Sequence, residues 1–181
     1  MNRIALTFIG RDRPGIIAGV SQVLCDAGCN IEDATMTILE GEFAMILIAT
    51  VPAGVHAKFK SGFDKLREKW GLHYFTKPLA GKRSRGEKHP AGTQSYVLSV
   101  MGHDRTGIVY ETSRILAEEK LNITDLNSKI LGSQKKPVFA MILEVDIPTG
   151  FDLRRLETSW KRLRSRWGVD ITLKPVDRLT L

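Results

Sequence analysis

Apolar and polar side chains alternate over residues 3–9, with Ile4, Leu6 and Phe8 falling on one side. A period of two marks a strand with one buried face. Over residues 15–27 the period lengthens. Ile16, Ile17, Val20, Val23, Leu24 and Ala27 recur at steps of three and four, which predicts an amphipathic helix. Gly28 ends it, as a glycine past a helix C-terminus does. Asn30 and Ile31 open a second strand running to Leu39, in which Ala34, Met36 and Ile38 alternate with Asp33, Thr35 and Thr37. Glu40-Gly41 predicts a tight hairpin. Residues 43–51 are almost uniformly apolar, which predicts a central strand covered on both faces. Beyond the break at Pro52-Ala53-Gly54, a helical stripe of Val55, Phe59, Phe63, Leu66 and Trp70 ends at Gly71, and residues 72–77 predict a fourth strand. At the end of its stripe, Trp70 reads as a core side chain.

The pattern then repeats. Residues 95–101 predict a strand, and Ile108, Val109, Thr112, Ile115 and Leu116 mark a helix. Asn122-Ile123 matches Asn30-Ile31, and Phe139-Ala140-Met141-Ile142-Leu143 is identical to Phe43-Ala44-Met45-Ile46-Leu47. Leu153, Leu156, Trp160, Leu163 and Trp167 form the last helical stripe, closed by Gly168 as Trp70 is closed by Gly71. The extra residues of the second copy fall in a hairpin over residues 132–137, including Gln134 and Lys135. The chain therefore reads as two copies of βαββαβ, an α+β, ferredoxin-like plan. Each copy is an antiparallel sheet with both helices on one face. The other face is left bare, and the edge strands call for partners. We place the first domain at residues 1–78, a basic Gly- and Pro-containing linker at 79–94, and the second domain at 95–181.

The most distinctive stretch lies between the first strand and the first helix. It reads Gly10-Arg11-Asp12-Arg13-Pro14-Gly15-Ile16-Ile17, and it returns as Gly102-His103-Asp104-Arg105-Thr106-Gly107-Ile108-Val109. Its glycine spacing resembles a phosphate loop, but Ile16 and Ile17 stand where that loop needs lysine and a hydroxyl. Nucleotide hydrolysis is rejected on that ground. The turn suits a small zwitterion. The start of a helix offers free backbone N–H groups to a carboxylate, and Asp12 is placed to receive an ammonium group. Gly15 and Gly107 allow close approach to the backbone, and Asn30 and Asn122 carry both donor and acceptor. A plainer role for Asp12 and Asp104 is to cap their helices, with Pro14 in the first turn.

Composition adds exclusions rather than a site. Among 181 residues there are two cysteines, Cys25 and Cys29, and four histidines, His56, His73, His89 and His103. Two thiols without a nearby histidine do not make a zinc site, so we expect no metal and no cofactor. The thiols fit a reducing, cytoplasmic setting. No histidine neighbours a plausible nucleophile in sequence, and His103 is Arg11 in the first copy. No catalytic residue is assigned. No apolar run reaches the ~20 residues of a membrane helix, and the start of the chain does not read as a secretory signal. The net charge is +7, yet residues 1–77 carry nine basic and eight acidic side chains. The excess lies in the linker and beyond, where Arg154, Arg155, Lys161, Arg162, Arg164 and Arg166 lie off the apolar face of the last helix. Without a recognition or stacking motif this is a solvated surface, and direct nucleic-acid binding is disfavoured.

The strand, the Gly-Arg-Asp-Arg-Pro-Gly-Ile-Ile turn, the helix and then Asn30-Ile31 together resemble an ACT domain. The tandem pair resembles the glycine cleavage system transcriptional repressor family and related free-standing double-ACT regulators. That resemblance implies regulation by a small ligand, an amino acid such as glycine, bound between paired ACT domains near the first turn and the second strand. It points to Asp12, Arg13, Gly15, Ile16, Asn30 and Ile31, and to Asp104, Arg105, Gly107, Ile108, Asn122 and Ile123. It implies no enzyme activity, a homo-oligomer, and a regulator or enzyme as protein partner, with transcriptional control of amino-acid metabolism as one outcome. Thr106 departs from the proline of the first copy, and Asp12 and Asp104 stand where many amino-acid-binding ACT domains have asparagine. The alternative reading is a small enzyme, or the regulatory subunit of a metabolic enzyme, on the same fold.

Overall fold

The computed structural model describes residues 2–79, 89–133 and 136–176. It divides into two units, Met1–Arg83 and Ser84–Leu181. The first holds β1 (Asn2–Arg11), α1 (Ile16–Asp26), β2 (Asn30–Leu39), β3 (Glu42–Val51), α2 (His56–Trp70) and β4 (His73–Leu79). The second holds β5 (Thr93–His103), α3 (Ile108–Glu118), β6 (Asn122–Ser133), β7 (Lys136–Pro148), α4 (Arg154–Trp167) and β8 (Val169–Pro175). The expected order is thus observed twice. Strand β4 continues past residue 78, and β5 begins before residue 95. Most of the sequence read as a linker, residues 80–88, lies outside the described residues, as do residues 134 and 135 of the long hairpin.

In the first unit the strands run antiparallel in the order β2-β3-β1-β4, and in the second β6-β7-β5-β8. Both helices of a unit cover the same face of its sheet. Ile4, Leu6 and Phe8 of β1 and Phe43, Met45, Leu47 and Ala49 of β3 meet Val20 and Leu24 of α1 and Phe59 and Phe63 of α2 there. Phe8 and Phe63 pack edge to face, with ring centroids 5.0 Å apart. In the second unit Leu98, Val100, Met141 and Leu143 meet Ile115, Leu116, Leu156 and Trp160. Glycine lets the helices of the first unit approach. A Cβ on Gly62 would lie 2.6 Å from Val23, and one on Gly19 would lie 2.6 Å from the Trp70 ring.

One expectation is corrected. Strand β3 is central, but only alternate residues are buried. Its other face carries Ala44, Ile46 and Ile48 away from the helices, and Ile46 is 46% exposed. The uniform run of apolar residues in β3 therefore reflects an open apolar face and not a second covering layer. Ile142 repeats this in β7, at 53% exposure. Strands β2 and β6 are edges and largely exposed.

Candidate functional site

The two duplicated turns are built alike. Gly10 and Gly102 are small because the start of the neighbouring strand passes close by. A Cβ on Gly10 would stand 3.1 Å from the Gly71 carbonyl oxygen, and one on Gly102 would stand 2.7 Å from Val169. The chain then leaves the sheet. The Asp12 N–H donates to the Gly41 carbonyl at 2.8 Å, tying the first turn to the β2–β3 hairpin. Gly15 and Gly107 are the helix N-caps, with φ of +96° and +104°. That left-handed conformation is accessible to glycine at little cost. Neither helix has a side-chain cap hydrogen bond. The capping role considered for Asp12 and Asp104 is therefore corrected: each lies three residues ahead of its cap, and glycine takes that position.

Without a capping side chain, the first backbone N–H groups of α1 and α3 lack intrahelical acceptors. In α1 the first such bond runs from Gly19 N–H to the Gly15 carbonyl at 2.8 Å, and in α3 from Glu111 to Gly107 at 2.9 Å. Asp12 and Asp104 are exposed, and among the described residues their carboxylates make no hydrogen bond or ion pair. The Arg13 guanidinium lies over Trp70, 5.1 Å from the ring centroid. Arg105 is exposed. Ile16 and Ile108 are buried and anchor the helix starts in the cores.

Asn30 and Asn122 lie elsewhere. Asn30 pairs with Thr50, whereas Arg11, at the turn end of β1, pairs with Glu42. Eight residues of β3 separate these positions, about 26 Å at ~3.3 Å per residue. Asn122 pairs with Asp146 and His103 with Val138, the same span of β7. Within one unit the turn and the asparagine thus stand at opposite ends of the sheet. Ile31 and Ile123 follow the asparagines and pack half-buried on their cores. A bulge comes after each, at residues 32 and 124.

The surroundings of the two asparagines differ. Near Asn30, Arg3 Nε meets Glu32 Oε2 at 2.9 Å, and the Thr50 hydroxyl donates to the same carboxylate. Beside Asn122, the Ser95 hydroxyl donates to Asp146 Oδ1 at 3.1 Å, and the His89 ring Nδ1 lies 2.7 Å from the same oxygen. His89 Nε2 is 3.5 Å from Glu144. His89, read as linker, is therefore held against the second sheet. These residues name a serine, a histidine and a carboxylate but not a nucleophilic relay. Serine and aspartate share one ring nitrogen, and Ser95 is buried. The pairing register places Ser95 and Asp146 on the sheet face away from the helices, with Ile142 and Glu144, so the hydrophobic period carried no signal for this cluster. No group of three His, Cys, Asp or Glu suited to a metal occurs among the described residues.

The basic α4 surface is partly neutralised. Arg155 pairs with Glu119 at 2.6 Å, Arg164 with Glu157 at 2.6 Å, and Arg154 with Asp152 at 3.0 Å. Arg154 holds the Asp152 carboxyl below its usual range. Among the described residues no helix is long and apolar enough to cross a membrane.

Two βαββαβ units carrying the same glycine-capped turn define a tandem ferredoxin-like protein. Residues 2–77 and 94–174 each match the family model of the ACT domain, and the chain belongs to that family. A UPF0237 protein of Methanopyrus kandleri is 50% identical over 77 residues, spanning 40% of this chain and 82% of that relative. The crystal structure of an unknown protein from Galdieria sulphuraria is 27% identical, with a TM-score of 0.78 over 97% of this chain and 99% of that one. A protein proposed to be a glycine cleavage system transcriptional repressor matches with a TM-score of 0.70 over 98% of both chains; at 18% identity this likeness speaks to the fold alone.

Proposed function

We propose that this protein is a non-enzymatic sensor of an amino acid, with glycine the first to be tried. One observation carries the reading. Each helix start leaves its N–H groups uncapped, beside an exposed aspartate that has no partner among the described residues. The uncapped N–H groups and the helix dipole favour a carboxylate. Asp12 accepts the ammonium of the same zwitterion, and Arg13, braced on Trp70, adds a cation beside the carboxylate. Ile16 fixes the position of these N–H groups by its burial.

Asn30 and Asn122 join this site only through pairing of domains. A second ACT domain laid antiparallel along a free β2 or β6 edge brings its own turn to the asparagine end of the first. The exposed Met36, Ile38, Leu126 and Ile130 on those edges favour such pairing, and homo-oligomers follow from it. The ligand is then held between domains, and its binding shifts their pairing, which a regulator or enzyme partner reads. Transcriptional control of amino-acid metabolism is one such output. Two free thiols, Cys25 and Cys29, favour the cytoplasm as its setting.

A thermal-shift screen of the purified protein against each of the twenty amino acids tests the reading, followed by calorimetry on those that stabilise. Binding by a small subset is expected, since a ligand selective for the native state raises the melting temperature. Uniform silence across the twenty contradicts it.

A further inference from the structure

We propose that the two turns are not equivalent: the first accepts the ligand, and Trp167 closes the second. This inference rests on the sensing function proposed above and says which copy performs it. The same tryptophan of the repeat, Trp70 or Trp167, takes two positions. In the first unit Trp70 lies on α1 over Gly19, where a Cβ would meet the ring at 2.6 Å. Among the described residues nothing lies within 4 Å of a Cβ built on Gly15, and Gly15 is exposed. In the second unit the residue four past the turn glycine is Glu111 instead of Gly19. Its side chain occupies that part of the helix surface and pairs with Arg114 at 3.0 Å.

The indole is displaced toward the turn. A Cβ built on Gly107 would meet Trp167 Cη2 at 2.9 Å, and Gly107 is only half-exposed. Trp167 Nε1 is buried and has no hydrogen-bond partner among the described residues, and the Arg166 guanidinium lies 5.9 Å from the ring centroid. A ligand backbone that approaches Gly15 freely meets an indole edge at Gly107. One substitution, Gly19 in the first copy against Glu111 in the second, thus separates an open turn from a covered one. Arg13 follows the same division, since it stacks on Trp70 at 5.1 Å and helps to frame the open turn.

The test is calorimetry of the full chain against each of the twenty amino acids, on wild type and on Asp12→Ala, Asp104→Ala and Trp167→Ala. For any amino acid that binds, wild type should take one molecule per chain. Asp12→Ala should weaken binding about tenfold or more by removing a charged partner, and Asp104→Ala should weaken it several times less. Trp167→Ala should raise the stoichiometry to two. Should that variant fail to fold, the two aspartate variants, both at exposed positions, decide alone. Two molecules per wild-type chain, or equal losses from Asp12→Ala and Asp104→Ala, would overturn the inference while leaving sensing intact. Binding of none of the twenty by wild type would instead sink the sensing function, and this inference with it.

Discussion

Gly15 and Gly107 occupy a backbone region that costs other residues roughly 1–2 kcal/mol. Alanine at Gly15 should cost about that much, because the space beside it is open. Alanine at Gly107 should cost more, since its methyl would meet Trp167 at 2.9 Å. Urea denaturation of the two variants checks the ranking, and equal costs would contradict the contact. In the core, Phe63→Ala removes the ring packed on Phe8 and should cost ~3–5 kcal/mol. The thiols should separate in reactivity. Burial pushes the Cys29 thiol up, leaving less thiolate at neutral pH, whereas Cys25 is exposed. Iodoacetamide should label Cys25 first, as read by peptide mass mapping; faster labelling of Cys29 would refute this. The turn itself was legible in the sequence because it recurs with its glycines in place. The Trp167 contact was not, because it depends on what stands across the helix at Gly19 and Glu111. The position of His89 depended likewise on Asp146, far along the chain.

At the scale of elements, the hydrophobic period located the helices and strands of the first copy, since each buries a single face and its spacing records that face, and the repeat carried the same plan to the second. The period misled only where an open surface is also apolar. Ile46 and Ile48 of β3 look like core by composition but face away from the helices. Nor could sequence spacing show that Asn30 lies at the far end of the sheet from Asp12, because register, not proximity along the chain, decides it. The free β2 edge permits a direct trial of domain pairing. Lysine at both Met36 and Ile38, 40% and 51% exposed, should leave the fold within about 1 kcal/mol of wild type and lower the particle mass in light scattering. An unchanged mass would show that this edge pairs with nothing.

The chain is a duplication whose copies differ at the asparagine ends and at the turns. The Asn30 end holds the Arg3–Glu32 pair, and the Asn122 end holds the Ser95–Asp146–His89 cluster. One turn is open and the other covered. Of the arginines of α4, Arg154, Arg155 and Arg164 pair with Asp152, Glu119 and Glu157. Fold and duplication were therefore readable from local pattern, while the difference between the two copies needed tertiary contacts. The most direct measurement is a backbone-amide chemical-shift map of the isotope-labelled chain, titrated with an equimolar mixture of the twenty amino acids. Shifts should gather at Gly15, Ile16 and Ile17 and at the start of β2 or β6, with Gly107 and Ile108 little moved. No shifts at all, or shifts confined to the basic face of α4, would contradict an amino-acid sensor built on the first turn.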